Sequence, residues 1–291
     1  MIKNKLFMLA VIVFSFSFIP NCKNATNKNN KNKIPSGTNI AFRDDFDTGP
    51  YPNSFWQLCW SNNASNANAA WNRFFKNTKY FDCVRVEDGY LKLTAKKEKG
   101  PADLDYKTGG VWSLNNRFGI GTSLKVRAKL YKEGQNDKFY VPSAFPAIWY
   151  NSLFSNWPEE GEIDLMEWVN KTPEHSYSTI HYNETNTGEI VYAHYSQSNV
   201  LNVNEWHTYR CDLYSNNIVM YYDDKEIFRY TNSLTNTYPF NDNYYNIILN
   251  ASLHGSWGAA VETNDSDLPY EMWVDWVEVS LIDKITGQPI K

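Results

Sequence analysis

Cysteine and histidine are scarce in this chain of 291 residues, at four and five copies. None of them falls into C-x-x-C or H-E-x-x-H spacing, so no catalytic metal is expected. A G-x-S-x-G elbow for a serine nucleophile is missing, and so is a glycine loop of the phosphate-cradling kind. No long basic run follows the N-terminus and the formal net charge is −4, which removes nucleic acid as an expected partner. Beyond residue 40 no stretch carries the apolar stripe of an amphipathic helix.

Long apolar runs are absent too, with one exception. Leu6 to Ile19 is apolar except at Ser15 and Ser17, and Lys3 and Lys5 precede it. The run is too short for a bilayer span and suits an export signal over residues 1–21. It ends at Pro20-Asn21-Cys22, which resembles a bacterial lipoprotein signal, with Cys22 as the lipidated new N-terminus. The expectation is an exported lipoprotein at the cell surface or in the periplasm, touching membrane only through that anchor. Plain secretion is the alternative. Residues 22–38 are rich in Asn and Lys and read as a flexible tether, 39–284 as the folded domain, and 285–291 as a tail. Besides Cys22 there remain Cys59, Cys83 and Cys211: Cys59–Cys83 is the pair to bridge, or all three stay buried thiols.

Aromatic residues are abundant at 16%, with 11 Trp and 20 Tyr. That exceeds the need of one core and suits a groove that stacks sugar faces on rings, although Tyr-rich strands alone would also raise the count. Period-two alternation marks Tyr90 to Ala95, Leu124 to Leu130 and Trp273 to Val279 as strands. Ile218 to Tyr222 and Glu226 to Tyr230, joined by Asp223-Asp224-Lys225, read as a hairpin. Many short strands without βα alternation predict an all-β antiparallel sandwich or barrel.

One segment stands out against this pattern: Glu162-Ile163-Asp164-Leu165-Met166-Glu167, between Gly161 and Trp168. Three carboxylates among three large apolar residues are costly on a buried strand, because like charges repel and desolvate one another. Residues two apart share a strand face, so Glu162 and Asp164 point the same way. Glu167 is an odd step from Glu162 and returns to that face only if a β-bulge sits at Leu165-Met166. The two glutamates would then lie about 13 Å apart at Cα. Side chains leaning together would bring the carboxyls to roughly 5–6 Å, the separation of a retaining glycosidase. An exposed acidic strand is the plain alternative.

The neighbouring residues decide between the two. Phe145-Pro-Ala-Ile-Trp149, Trp157-Pro-Glu-Glu-Gly161 and the acidic segment together resemble glycoside hydrolase family 16, with its W-P-x-x-G-E-I-D-[ILV]-M-E signature. Phe42 to Phe46, Val86 to Leu93, Phe118 to Gly121, Val126 to Leu130, Glu205 to Tyr209 and Val274 to Val277 follow in family order, so the resemblance spans roughly residues 40–282. It implies a β-jelly roll sandwich of two antiparallel sheets with a concave-face substrate cleft. It implies a retaining double displacement, with Glu162 as nucleophile, Glu167 as acid and base, and Asp164 as electrostatic support. It places Trp149, Trp168, His181, Asn250 and Trp257 at the cleft, and Trp71, Arg73 and Tyr80 toward the non-reducing side. The role of His254 is left open. Many family members hold a structural Ca²⁺ on the convex face; here Asp45 and Asp275 take those positions. The expected partner of this monomer is a polysaccharide or oligosaccharide. Intact general family strands tilt the substrate toward a β-1,3- or mixed-linkage glucan, while the unusual Trp60–Tyr80 segment keeps agar-type galactan or mucin and keratan chains as the alternative. A non-catalytic lectin on the same sandwich would have no reason to keep all three carboxylates.

Overall fold

The computed structural model describes residues 37–59, 81–97, 106–113, 115–152, 157–186, 189–232, 239–241, 243–253 and 265–290. The leader with Cys22, most of the tether, and Trp71, Arg73, Tyr80, His254 and Trp257 lie outside the described residues.

Strands dominate. In chain order they are β1 (Ile40–Asp44), β2 (Gln57–Leu58), β3 (Val84–Glu87), β4 (Tyr90–Lys97), β5 (Tyr106–Lys107), β6 (Gly109–Trp112), β7 (Thr122–Tyr131) and β8 (Ala144–Asn151). Then come β9 (Glu162–Glu167), β10 (His175–Asn186), β11 (Glu189–Val200), β12 (His207–Leu213), β13 (Asn217–Tyr222), β14 (Lys225–Thr231), β15 (Asn246–Leu253) and β16 (Tyr270–Leu281). They form two antiparallel sheets. One has seven strands in the order β11-β10-β9-β8-β15-β6-β2; the other runs β14-β13-β12-β7-β16-β4-β3, with β1 on β16 and β5 on β4. This is the expected two-sheet jelly roll.

Period-two patterning explains why the sheets stack. On β4 and β7 the residues Leu91, Leu93, Ala95, Leu124, Val126, Ala128 and Leu130 are buried, while their neighbours Lys92, Lys125, Arg127 and Lys129 turn outward. Ile163, Leu165, Ile180, Ile247 and Leu249 of the seven-stranded sheet join the same core. Each such Leu, Ile or Val contributes about 1.5–3 kcal/mol by leaving water. On the outer face of the larger sheet, Lys129 Nζ lies 4.9 Å from the Trp273 ring and 5.2 Å from Trp206, and Tyr90 packs on both tryptophans. Part of the aromatic surplus therefore clads this face and not a sugar groove.

Of the two alternatives for the thiols, the structure shows the second. Cys59, Cys83 and Cys211 are all free and buried, with no Cys59–Cys83 bridge: Cys59 continues β2 of one sheet, and Cys83 leads into β3 of the other. Residues 285–290 are the described part of the stretch read as a C-terminal tail. They fold back on the end of β16, with Ile290 N–H donating to Leu281 O at 3.2 Å and Asp283 Oδ1 accepting from the backbone of Ile285 and Thr286. Asp45 and Asp275, the residues expected to hold calcium, are each ion-paired. Asp45 meets Arg43 at 2.7 Å, a guanidinium it shares with Glu278, and Asp275 meets Arg127 at 2.6 Å.

Candidate active site

The acidic segment enters its strand through a turn that only glycine permits. Gly161 has φ +84°, and a Cβ there would meet Phe240 Cε1 at 2.5 Å. Its N–H donates to Pro158 O at 3.0 Å, and Glu160 O accepts from Tyr245 Oη and from Asn243 Nδ2. The first residue of β9 is thus pinned from several sides.

The bulge forms where the odd spacing requires it. Against β10 the register runs Glu162↔His181 and Asp164↔Thr179, then shifts so that Glu167 faces Tyr177. Against β8 it runs Glu162↔Asn151 and Asp164↔Trp149, then Met166↔Ile148 and Glu167↔Ala147, with Leu165 left over. Directly opposed residues share a face, so Glu162, Asp164 and Glu167 stand on the face away from the core. Leu165 and Met166 are buried, at 0% and 1% exposure. On the core side the bulge carbonyl Leu165 O accepts from Ser178 Oγ at 3.0 Å and Tyr222 Oη at 3.2 Å, which satisfies a group the ladder leaves unpaired.

Around the carboxylates the structure assembles a polar and aromatic shell. Asn151 Nδ2 donates to Glu162 Oε2 at 2.7 Å, and the Trp157 side chain also hydrogen-bonds Glu162. His181 Nε2 lies 3.2 Å from Asp164 Oδ2 and 3.8 Å from Glu162 Oε1. Half-exposed Trp157 and Tyr192 stand beside His181, with ring centroids 6.0 Å away in both cases. His194 faces His181 across the β10–β11 ladder. Of the His, Cys, Asp and Glu side chains among the described residues, only Glu162, Asp164 and His181 are grouped tightly enough to share a metal ion.

Burial dominates the electrostatics. It pushes the Glu162 carboxyl up to about 8, with the Asp164 charge adding and His181, Asn151 and Trp157 opposing. Glu167 is pushed well above the usual carboxylate range by burial and by the charges of Asp164 and Glu162, and Asp164 is raised by burial. Three carboxyls in one dry cluster do not all ionise together. Asp164 is 3% exposed, and its Oδ2 has no aligned hydrogen bond. A proton on Asp164 would remove the second of the two causes that raise Glu162, leaving burial opposed by His181, Asn151 and Trp157. The set can hold one anion beside one or two protonated acids.

Other sequence-expected residues divide. Trp149 lies on the cleft face beside Asp164 and next to Ile248 of β15, where Trp112 of β6 continues the row. Asn250 reaches the same sheet but is 3% exposed and fully used: Oδ1 accepts from Trp149 Nε1 at 2.8 Å, while Nδ2 donates to Phe145 O and Ser252 Oγ. It orients Trp149 and has no donor left for a sugar. Trp168 is a correction. It is fully buried, edge-on to Phe139 at 4.7 Å, with Nε1 donating to Pro173 O at 3.1 Å. Once the bulge turns Glu167 to the cleft, the next residue falls on the core face. Asn151, Trp157, Trp112, Tyr192 and His194 escaped the sequence reading. The signal for Tyr192 and His194 was the β11 alternation mirrored on His181 about the Asn186↔Glu189 end of the ladder.

Comparison with known proteins adds three observations. Residues 72–278 match the model of glycosyl hydrolases family 16. A solved structure from work on endo-acting O-glycanases that members of the human gut microbiota express to initiate mucin breakdown is 38% identical. That match has TM-score 0.70 and covers 84% of this chain and 100% of the other. The glucan endo-1,3-β-glucosidase A1 of Niallia circulans is 25% identical, and the keratan-sulfate endo-1,4-β-galactosidase of Sphingobacterium multivorum is 26% identical, over 84% and 82% of this chain. The chain spans 38% and 54% of the length of those two relatives.

Proposed function

The chain belongs to glycosyl hydrolases family 16, and we propose that it is a retaining endo-β-glycosidase with Glu162 as nucleophile and Glu167 as acid and base. The observation that carries this reading is the bulged β9, which turns three raised carboxyls to one face beside His181. Glu167, raised well above its ordinary range by burial and two like charges, delivers its proton to the leaving oxygen. Glu162, oriented by Asn151 and relieved of repulsion when Asp164 holds a proton, attacks the anomeric carbon. Glu167 then takes a proton from water, which displaces Glu162 and restores the β-configuration. No step needs a metal.

For the substrate we infer internal β-galactoside linkages of lactosamine-type chains, as in mucin O-glycans. The 38% identity to the O-glycanase structure, against 25–26% to the glucanase and the keratan-sulfate enzyme, favours this over the β-glucan that the strand pattern alone suggested. Trp149 and Trp112 on one side of the triad, and Trp157 and Tyr192 on the other, supply ring faces for the flanking sugars. A Cys22 anchor would hold such an enzyme where polymeric substrate is found.

The test is a product profile on mucin O-glycans, keratan, laminarin, lichenan and agarose, with the anomer of the new reducing end followed by NMR. Oligosaccharides from mucin or keratan, released first as the β-anomer, are expected. An α-anomer formed first would overturn the double displacement; cleavage of laminarin or lichenan alone would overturn the substrate.

A further inference from the structure

His181 commits both ring nitrogens inside the site. Nε2 lies 3.2 Å from Asp164 Oδ2 and 3.8 Å from Glu162 Oε1, two carboxyl oxygens, the first of them without an aligned hydrogen bond. Nδ1 lies 2.6 Å from the hydroxyl of Tyr192. With the carboxyls on the side of Nε2, the tautomer that carries its proton there keeps a lone pair on Nδ1. The Tyr192 hydroxyl is then the donor of the 2.6 Å bond. It keeps its proton for that purpose, because partial burial and the charges of Glu162, Asp164 and Glu167 all raise it.

The groups around His181 leave that role to Tyr192. From β9 it meets Glu162 and Asp164, from the turn before β9 the Trp157 ring, and from β11 His194 and Tyr192. Of these, Tyr192 is the one hydrogen-bonded to Nδ1. The phenol and imidazole planes are within 11° of each other, so the bond constrains the plane of the imidazole as well as its proton.

We propose that Tyr192 is a positioning residue of the reaction: its hydroxyl fixes the tautomer and plane of His181, so that Nε2–H stays on the side of Asp164 and Glu162. Without it the imidazole turns more freely about its last torsion, and the N–H beside the Asp164–Glu162 pair loses its fixed place. This inference rests on the glycosidase reading for its kinetic consequence but not for its structural one.

Two variants separate this role from plain sugar stacking. Tyr192→Phe keeps the ring against Trp157 and His194 and removes only the hydroxyl. It is expected to lower kcat by roughly five- to tenfold, the worth of one side-chain hydrogen bond, with KM near wild type. Tyr192→Ala is expected to raise KM as well, since the ring is lost. In ¹⁵N-histidine-labelled protein without substrate, His181 is expected to be protonated on Nε2, with Nδ1 hydrogen-bonded. In Tyr192→Phe the Nδ1 resonance should move toward an unbonded pyridine-type nitrogen, or a second tautomer should appear. An unchanged His181 spectrum in Tyr192→Phe overturns the proposal, whatever the substrate proves to be. So does a Tyr192→Phe enzyme whose KM rises while kcat stays at wild type.

Discussion

Glu162 costs the fold stability so that it is available for chemistry. Its carboxyl, pushed up to about 8 by burial and by Asp164, corresponds to a penalty on the order of 5 kcal/mol for the ionised form. The folded state holds a proton that the unfolded chain releases near the ordinary glutamate range. Stability should therefore be full below about pH 4.5 and fall as pH rises toward 8. Glu162→Gln and Asp164→Asn are expected to abolish or strongly reduce turnover while raising the melting temperature by about 3–6 °C. Thermal melts at pH 5 and pH 8 should show the gain to be larger at pH 8. A gain that shrinks with rising pH would mean that the carboxyls are ionised without penalty in the fold.

Within β9, the arrangement depends on backbone more than on side-chain identity. The bulge at Leu165-Met166 sets Glu167 on the cleft face, and its carbonyl is satisfied from the core by Ser178 and Tyr222. The turn that delivers Glu162 needs Gly161 at positive φ against Phe240. Gly161→Ala should destabilise the protein by about 2 kcal/mol or more in urea unfolding, since it adds a strained backbone to a contact with a buried ring. The same variant should lose kcat beyond its loss of stability, because Glu162 shifts with the turn. Alternation made β4, β7, β16 and the β13–β14 hairpin legible in the sequence, and the odd carboxylate spacing made the bulge legible. The β10–β11 pairing was not, because β11 is mostly polar and its alternation has meaning only beside its partner.

At the scale of the molecule, two sheets divide the work. The seven-stranded sheet carries the triad and its aromatic neighbours, while the larger sheet ends in an outward layer of Lys, Arg, Trp and Tyr. On that outer layer Arg43 engages Asp45 and Glu278, and Arg127 engages Asp275. A chelator is accordingly expected to leave the melting temperature unchanged, and added Ca²⁺ to leave it equally unmoved. Calorimetry with and without EDTA checks this; a calcium-dependent rise would mean that the arginines give way to a cation.

What the amino-acid order determined alone was whatever is local or periodic: strands from alternation, and the three carboxylates with the bulge they require. What only the tertiary structure decided was which residues meet across strands. Trp168 went to the core because the bulge shifts its parity, and Asn250 went to Trp149 because three neighbours consume its amide. Asn151 and Tyr192 reached Glu162 and His181 through ladder register. Register is set by packing two faces at once, and no short window of sequence contains both.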